Sequence, residues 1–109
     1  MAEILGTFEQ AVLLGIIRLA DDAYGRAILQ EVEMRLKREI APGAVQATLD
    51  RLENKGLVRS QLGSGTPIRA GRPRRYYRVE SSGVRALNDA RKTVEHLWRG
   101  LSWPLKGHA

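Results

Sequence analysis

The chain contains no cysteine. That excludes disulfides, thiol catalysis and cysteine-ligated zinc, and it fits a reducing cytoplasm, the compartment expected here. No apolar run approaches the roughly 20 residues that cross a bilayer, so no membrane association is expected. The opening Met1-Ala2-Glu3-Ile4-Leu5 has neither a basic stretch nor a small-residue cleavage site, so no secretory signal is expected. Aromatic residues make up only 6% of the chain and low-complexity tracts are missing. What remains is a globular composition, 43% hydrophobic and 28% charged over 109 residues, which suits one compact domain.

Catalytic constellations are also lacking. Gly63-Ser64-Gly65-Thr66 has the small residues of a phosphate loop, but no Gly-Lys-Ser/Thr follows. There is no Ser/His/Asp set. His96 has no second ligand at metal spacing and His108 lies near the end of the chain. No enzyme activity, metal or cofactor is therefore expected.

Charge is abundant and unevenly placed. The formal net charge is +6. Residues 1–40 hold five Lys/Arg against seven Asp/Glu, residues 41–80 hold eight against three, and residues 81–109 hold five against two. A basic surplus in the middle and end fits a polyanion partner, and it also fits the solvated surface of a basic protein.

Thr7 and Gln10 have capping-box spacing before an apolar run, which predicts a first helix over 7–20. Phe8, Val12, Leu13, Ile16, Ile17 and Leu19 cover more than one face of it, as in a helix both central to a core and covered by a partner subunit. Ile28, Val32 and Leu36 recur every four residues and predict a second helix over 24–39. Pro42 opens a third over 42–55, with Val45, Leu49 and Leu52 inward and Gly56 as its stop. The period then changes to that of short strands at 57–62 and 74–79, joined by a stretch rich in glycine and proline. Tyr76 and Tyr77 point to opposite sides, so one should be inward. Ser81-Ser82 caps a last helix over 81–101, along which Val84, Leu87, Val94, Leu97, Trp98 and Leu101 form a seam that Arg91 interrupts. The predicted fold class is mainly α with a small β-hairpin: a winged helix-turn-helix over 1–80, for DNA binding, plus a C-terminal dimerisation helix and tail over 81–109.

Two segments carry candidate chemistry. On the third helix, Gly43, Ala44 and Ala47 are small enough for close approach to a groove floor. Gln46 can bond adenine bidentately, an alanine methyl can meet a thymine methyl, and Thr48 and Arg51 suit phosphates. An ordinary polar surface helix has the same pattern. In the hairpin, Arg69, Arg72, Arg74, Arg75 and Arg78 fall close together, with no acid anywhere between Leu57 and Val79. Arginine suits bidentate phosphate contacts and narrow minor grooves, and Gly71-Arg72-Pro73 resembles the core of an AT-hook. The alternative is a mobile turn whose charge maintains solubility. Trp98 and Trp103 could line an effector pocket or simply pack.

Ala23-Tyr24-Gly25, the run from Gly43 to Val58, and Gly71-Arg72-Pro73-Arg74-Arg75-Tyr76-Tyr77 together resemble the PadR family of transcriptional regulators, in order from about Leu5 to Leu87. The resemblance implies a winged-helix domain, a C-terminal helix that dimerises with help from the first, and repression at an operator relieved by a small molecule or another signal. The single C-terminal helix points to the short subfamily. Many relatives carry tyrosine-proline where this chain has Gln46-Ala47, so a family-wide base preference does not transfer. The expected partners are double-stranded DNA and a second copy, with Phe8, Val12, Ile16, Val84, Leu87, Val94, Leu97, Trp98 and Leu101 at the homodimer interface. The rival expectation is a winged-helix protein-interaction module whose basic hairpin meets an acidic partner.

Overall fold

The computed structural model describes residues 4–63 and 73–107. Helix α1 spans Thr7–Leu19, a 3-10 turn follows at Ala20–Asp22, and α2 runs Gly25–Leu36. Helix α3 is Pro42–Asn54, strands β1 (Val58–Leu62) and β2 (Arg75–Val79) make an antiparallel pair, and α4 is Ser81–Trp98. The strand register sets Val58 opposite Val79 and Ser60 opposite Tyr77. This is the winged-helix arrangement expected from the sequence.

Helix α1 is the core's centre because α2, α3 and β2 all pack on it. Val12, Leu13 and Ile16 meet Ile28 and Val32 of α2, Val45, Leu49 and Leu52 of α3, Val58 of β1 and Tyr77 of β2 in one buried cluster. Val12 and Ile16 were expected at a subunit interface and are instead buried within the chain. The apolar residues that α1 leaves outward are Leu14 and Ile17.

Local chemistry sets the boundaries. Helix α1 starts at Thr7, but its N-cap is Gly6, one residue before the expected Thr7/Gln10 box: the Gly6 backbone N–H donates to Glu9 Oε1 at 3.1 Å, while Gln10 donates from Nε2 to the Leu5 carbonyl at 3.0 Å. Helix α2 ends at Leu36, short of the expected Glu39. Lys37 turns left-handed there at φ 58°, and Glu33 turns its carboxylate to the Ile40 N–H. Helix α3 closes as a Schellman turn: Leu57 N–H reaches the Leu52 carbonyl, Gly56 N–H reaches that of Glu53, and Gly56 adopts φ +77°. Helix α4 stops at Trp98 rather than Leu101, two residues before Gly100 at φ +84°. Its serines do not cap it. Ser82 instead donates its hydroxyl to the Gly56 carbonyl at 2.7 Å, pinning α4 to the end of α3.

Two contacts fix the packing of these elements. A Cβ on Gly83 would sit 2.4 Å from the Leu57 carbonyl oxygen and 2.6 Å from Val79 Cγ1, so α4 lies directly on the base of the hairpin. Glu31 is buried between α1 and α2, accepting from Arg35 Nε at 2.8 Å and Arg18 Nη1 at 3.2 Å. The Arg35 hydrogen bond, together with the attraction of both guanidinium groups, holds the Glu31 carboxyl below its ordinary pKa against the opposing effect of burial.

Gly83→Ala should destabilise the fold by about 3 kcal/mol through overpacking, read as a fall in thermal midpoint. Gly43→Ala, where a Cβ meets open space, should not lower that midpoint. Glu31→Gln should cost about 1–3 kcal/mol at neutral pH. Because the folded-state pKa of Glu31 is lowered, its contribution is complete above the unfolded pKa and disappears as pH falls through the folded value. Urea denaturation of wild type and Glu31→Gln should therefore diverge near neutrality and converge in acid.

Candidate nucleic-acid interface

Helix α3 sends Val45, Thr48, Leu49 and Leu52 inward and leaves Gly43, Ala44, Gln46, Ala47, Asp50 and Arg51 exposed. Thr48, expected to face phosphates, is only 3% exposed, because it shares the inward face with Val45 and Leu49. Its hydroxyl accepts from Arg51 Nη2 at 3.3 Å. Arg51 also lies 3.7 Å from Glu9 Oε2, which Lys55 reaches at 3.2 Å. Burial opposes ionisation of Glu9, but the Gly6 N–H together with Lys55 and Arg51 outweighs it and lowers the Glu9 pKa. Arg51 thus turns toward α1.

Gln46 holds the centre of the outward face. Its Nε2 donates to Asp50 Oδ1 at 2.9 Å, one turn along the helix, and to the Tyr77 hydroxyl of β2 at 3.3 Å. Tyr77 is the inward tyrosine of the expected pair. Its backbone N–H donates to the Ala23 carbonyl at 2.8 Å, so β2 also holds the start of α2. Beside it Tyr76 forms an isolated bridge to Tyr24, and the two rings meet edge to face at 5.8 Å. Arg74 lies with its guanidinium carbon 4.1 Å above the centre of the Tyr24 ring. Such stacking fixes an arginine while leaving the N–H groups along its edge free to donate.

The hairpin arginines divide by partner. Arg78 pairs with Asp21, and Arg59 pairs with Glu80. Arg75 donates to the neutral Ser60 hydroxyl at 3.1 Å, and that hydroxyl donates to Glu53. Among the described residues, Arg74 and Arg75 have no carboxylate partner. Arg69 and Arg72 lie outside the described residues.

One cleft of about 320 Å³ joins these parts, lined by Tyr24, Gly25, Arg26, Gln46, Arg74, Arg75 and Tyr77. A neighbouring depression continues it past Leu29, Pro42 and Gly43. The face therefore gathers the middle of α3, the N-terminus of α2 with its positive dipole end, and the cations Arg26, Arg74 and Arg75. Sequence patterning marked Arg74, Arg75 and Gln46. It missed Arg26 and the positioning roles of Tyr24 and Tyr77, because their partners lie far along the chain.

The expected interface residues split in two. Val12 and Ile16 are core, and Phe8 and Leu87 are half-buried against it. Trp98 is half-buried, while Val84, Val94, Leu97 and Leu101 are exposed, Leu97 by 73%.

Comparison with known proteins decides the family. Residues 13–89 match the model of the transcriptional regulator PadR-like family. The chain belongs to that family. It is 36% identical over 91 residues to the transcriptional regulator Rv3488 of Mycobacterium tuberculosis, covering 82% of this chain and 80% of that protein. It also superposes on a PadR family transcriptional regulator from Eggerthella lenta, with TM-score 0.63 and 28% identity over 82% of this chain and 75% of the other. RosR of H. salinarum gives TM-score 0.70 at 25% identity over 94% and 84%. The PadR-like chain is thus a transcriptional regulator and not an enzyme, as its sequence led one to expect. Among the described residues, no helix is long and apolar enough to cross a membrane.

Proposed function

We propose that this PadR-like regulator binds duplex DNA as a homodimer, with α3 in the major groove and the hairpin arginines on the flanking backbone or minor groove. The observation that carries the reading is the convergence of Gln46, Arg26, Arg74 and Arg75 on one cleft while Arg59 and Arg78 are held by carboxylates. Gly43, Ala44 and Ala47 keep the outer surface of α3 low enough for a groove floor. Gln46 reads base edges, and Arg74 and Arg75, with Arg69 and Arg72, supply phosphate contacts.

The second subunit packs along α4. Val84, Leu87, Arg91, Val94, Trp98 and Leu101 follow alternating spacings of three and four, and the exposure of Val94 and Leu97 leaves apolar surface for a partner. Leu14 and Ile17 are the α1 residues available to join it. Twofold pairing sets two α3 helices about 34 Å apart and requires pseudo-palindromic sites. Occupancy of such an operator represses transcription in the cytoplasm. Release by a small molecule or another signal follows the family resemblance.

Fluorescence anisotropy against a random-sequence duplex pool, titrated with salt, tests the reading. Wild type should bind at low salt, and Arg74→Ala should weaken binding to every sequence while reducing the slope of log K against log salt by about one. Absence of duplex binding at low salt would favour an acidic protein partner instead. Val94→Glu with Leu97→Glu should give a monomer in sedimentation equilibrium and at least a tenfold loss of affinity for a palindromic site.

A further inference from the structure

Gln46 has two amide N–H groups and one carbonyl oxygen with which to address a base. Both N–H groups are directed to the protein, one to Asp50 Oδ1 at 2.9 Å and one to the Tyr77 hydroxyl at 3.3 Å. The reversed amide would turn its carbonyl oxygen on the Asp50 carboxylate, which only accepts, so the charge on Asp50 fixes the orientation. Tyr77 cannot move away, because its ring is buried and its backbone is bonded to Ala23. The side of Gln46 left for a ligand is the carbonyl oxygen.

We propose that Asp50 and Tyr77 are positioning residues that hold Gln46 as an acceptor-only reader of the major groove. This rests on the reading that α3 enters that groove. An adenine contacted bidentately needs a donor to its ring nitrogen and an acceptor for its amino group, and the locked amide offers only the second. The base that Gln46 selects is then one that presents an amino hydrogen, adenine or cytosine. Guanine and thymine present only oxygen or nitrogen acceptors there and are rejected. Gln46 therefore specifies a two-base class, a coarser choice than the bidentate adenine contact that its type alone suggests.

The test is selection from a randomised duplex pool with wild type, Gln46→Ala and Asp50→Ala/Tyr77→Phe. The position whose preference disappears in Gln46→Ala should be occupied by adenine or cytosine in wild type. In the Asp50→Ala/Tyr77→Phe protein, where both donors are released, it should narrow to adenine. Phenylalanine retains the buried ring, and Asp50 is exposed, so the variant should fold, with a circular dichroism spectrum matching that of wild type. Base analogues at that position give a second readout. Removing the exocyclic amino group should weaken wild-type binding about 5- to 30-fold, while 7-deazaadenine should change it less than about twofold. The pair should diverge in the double variant, where 7-deazaadenine becomes costly. A Gln46-dependent position that selects a single base pair, or that separates A/T from G/C pairs irrespective of strand, overturns the proposal, as does wild-type sensitivity to 7-deazaadenine, and DNA binding itself survives either result. A preference insensitive to Gln46→Ala also overturns it, and failure of wild type to bind any duplex overturns the functional reading together with it.

Discussion

Tyr77 ties the hairpin to the rest of the molecule. Its ring lies in the core with Val12, Leu13 and Leu49, its backbone N–H bonds to Ala23 before α2, and its hydroxyl meets Gln46 on α3. A strand of five residues has little stability of its own, and a two-stranded sheet is marginal in water. The hairpin is stable because Tyr77 of β2, with Val58 of β1, is buried in the helical core. The same residue sets how far the arginines of β2 stand from the surface of α3. The placement of β2 against α3 is thus a consequence of core packing.

Electrostatics then sorts the cations. The acidic N-terminal third places Glu31, Glu9 and Asp21 where they hold Arg18, Arg35, Arg51, Lys55 and Arg78. These pairs differ in character. Glu31 is buried, so its pairing bears on stability; Asp21 and Arg78 are exposed and add little. Their shared effect is to neutralise charge away from the cleft. Arg74 and Arg75 keep theirs, one stacked on an aromatic ring and one on a neutral hydroxyl. Local net charge, more than the chain's total, is what would draw a phosphate backbone to this face.

The sequence made some of this legible and concealed the rest for physical reasons. The bounds of α3 could be read because their causes are local: Pro42 at the first turn, and Gly56 in the left-handed position. The cap of α1 could not, because Gly6/Glu9 and Thr7/Gln10 offer the same spacing and only the folded chain chooses between them. Val12 and Ile16 could belong to a core or to an interface, since an apolar stripe does not state what covers it. Thr48 read as a surface hydroxyl because its neighbours Val45 and Leu49 already account for a helical face, and the inward sector proved one residue wider. The five hairpin arginines looked alike in sequence, and only the fold brings Asp21 to Arg78 from 57 residues away. Gln46 was visible as a candidate reader, but the partners of its amide N–H groups were not. Those groups are used by Tyr77, 31 residues distant, and by Asp50 in a rotamer that sequence does not specify.

Helix α4 carries the remaining constraint. It runs 18 residues, about 27 Å, yet its buried residues are Gly83 and Ala90. Past Ala90, Val94 and Leu97 are largely exposed. Helical propensity alone is a weak source of stability at such lengths, and most helices in proteins persist because an apolar stripe is covered. The proposed dimer would cover that stripe, with Arg91 on the seam favouring some pairings over others at a cost in stability. The same contact would set the separation of the two α3 helices. Subunit pairing and half-site spacing are then one geometric quantity, fixed at the foot of α4 by Gly83 on the Leu57 carbonyl. A change there would tilt the helix and shift the spacing without touching a residue that faces DNA.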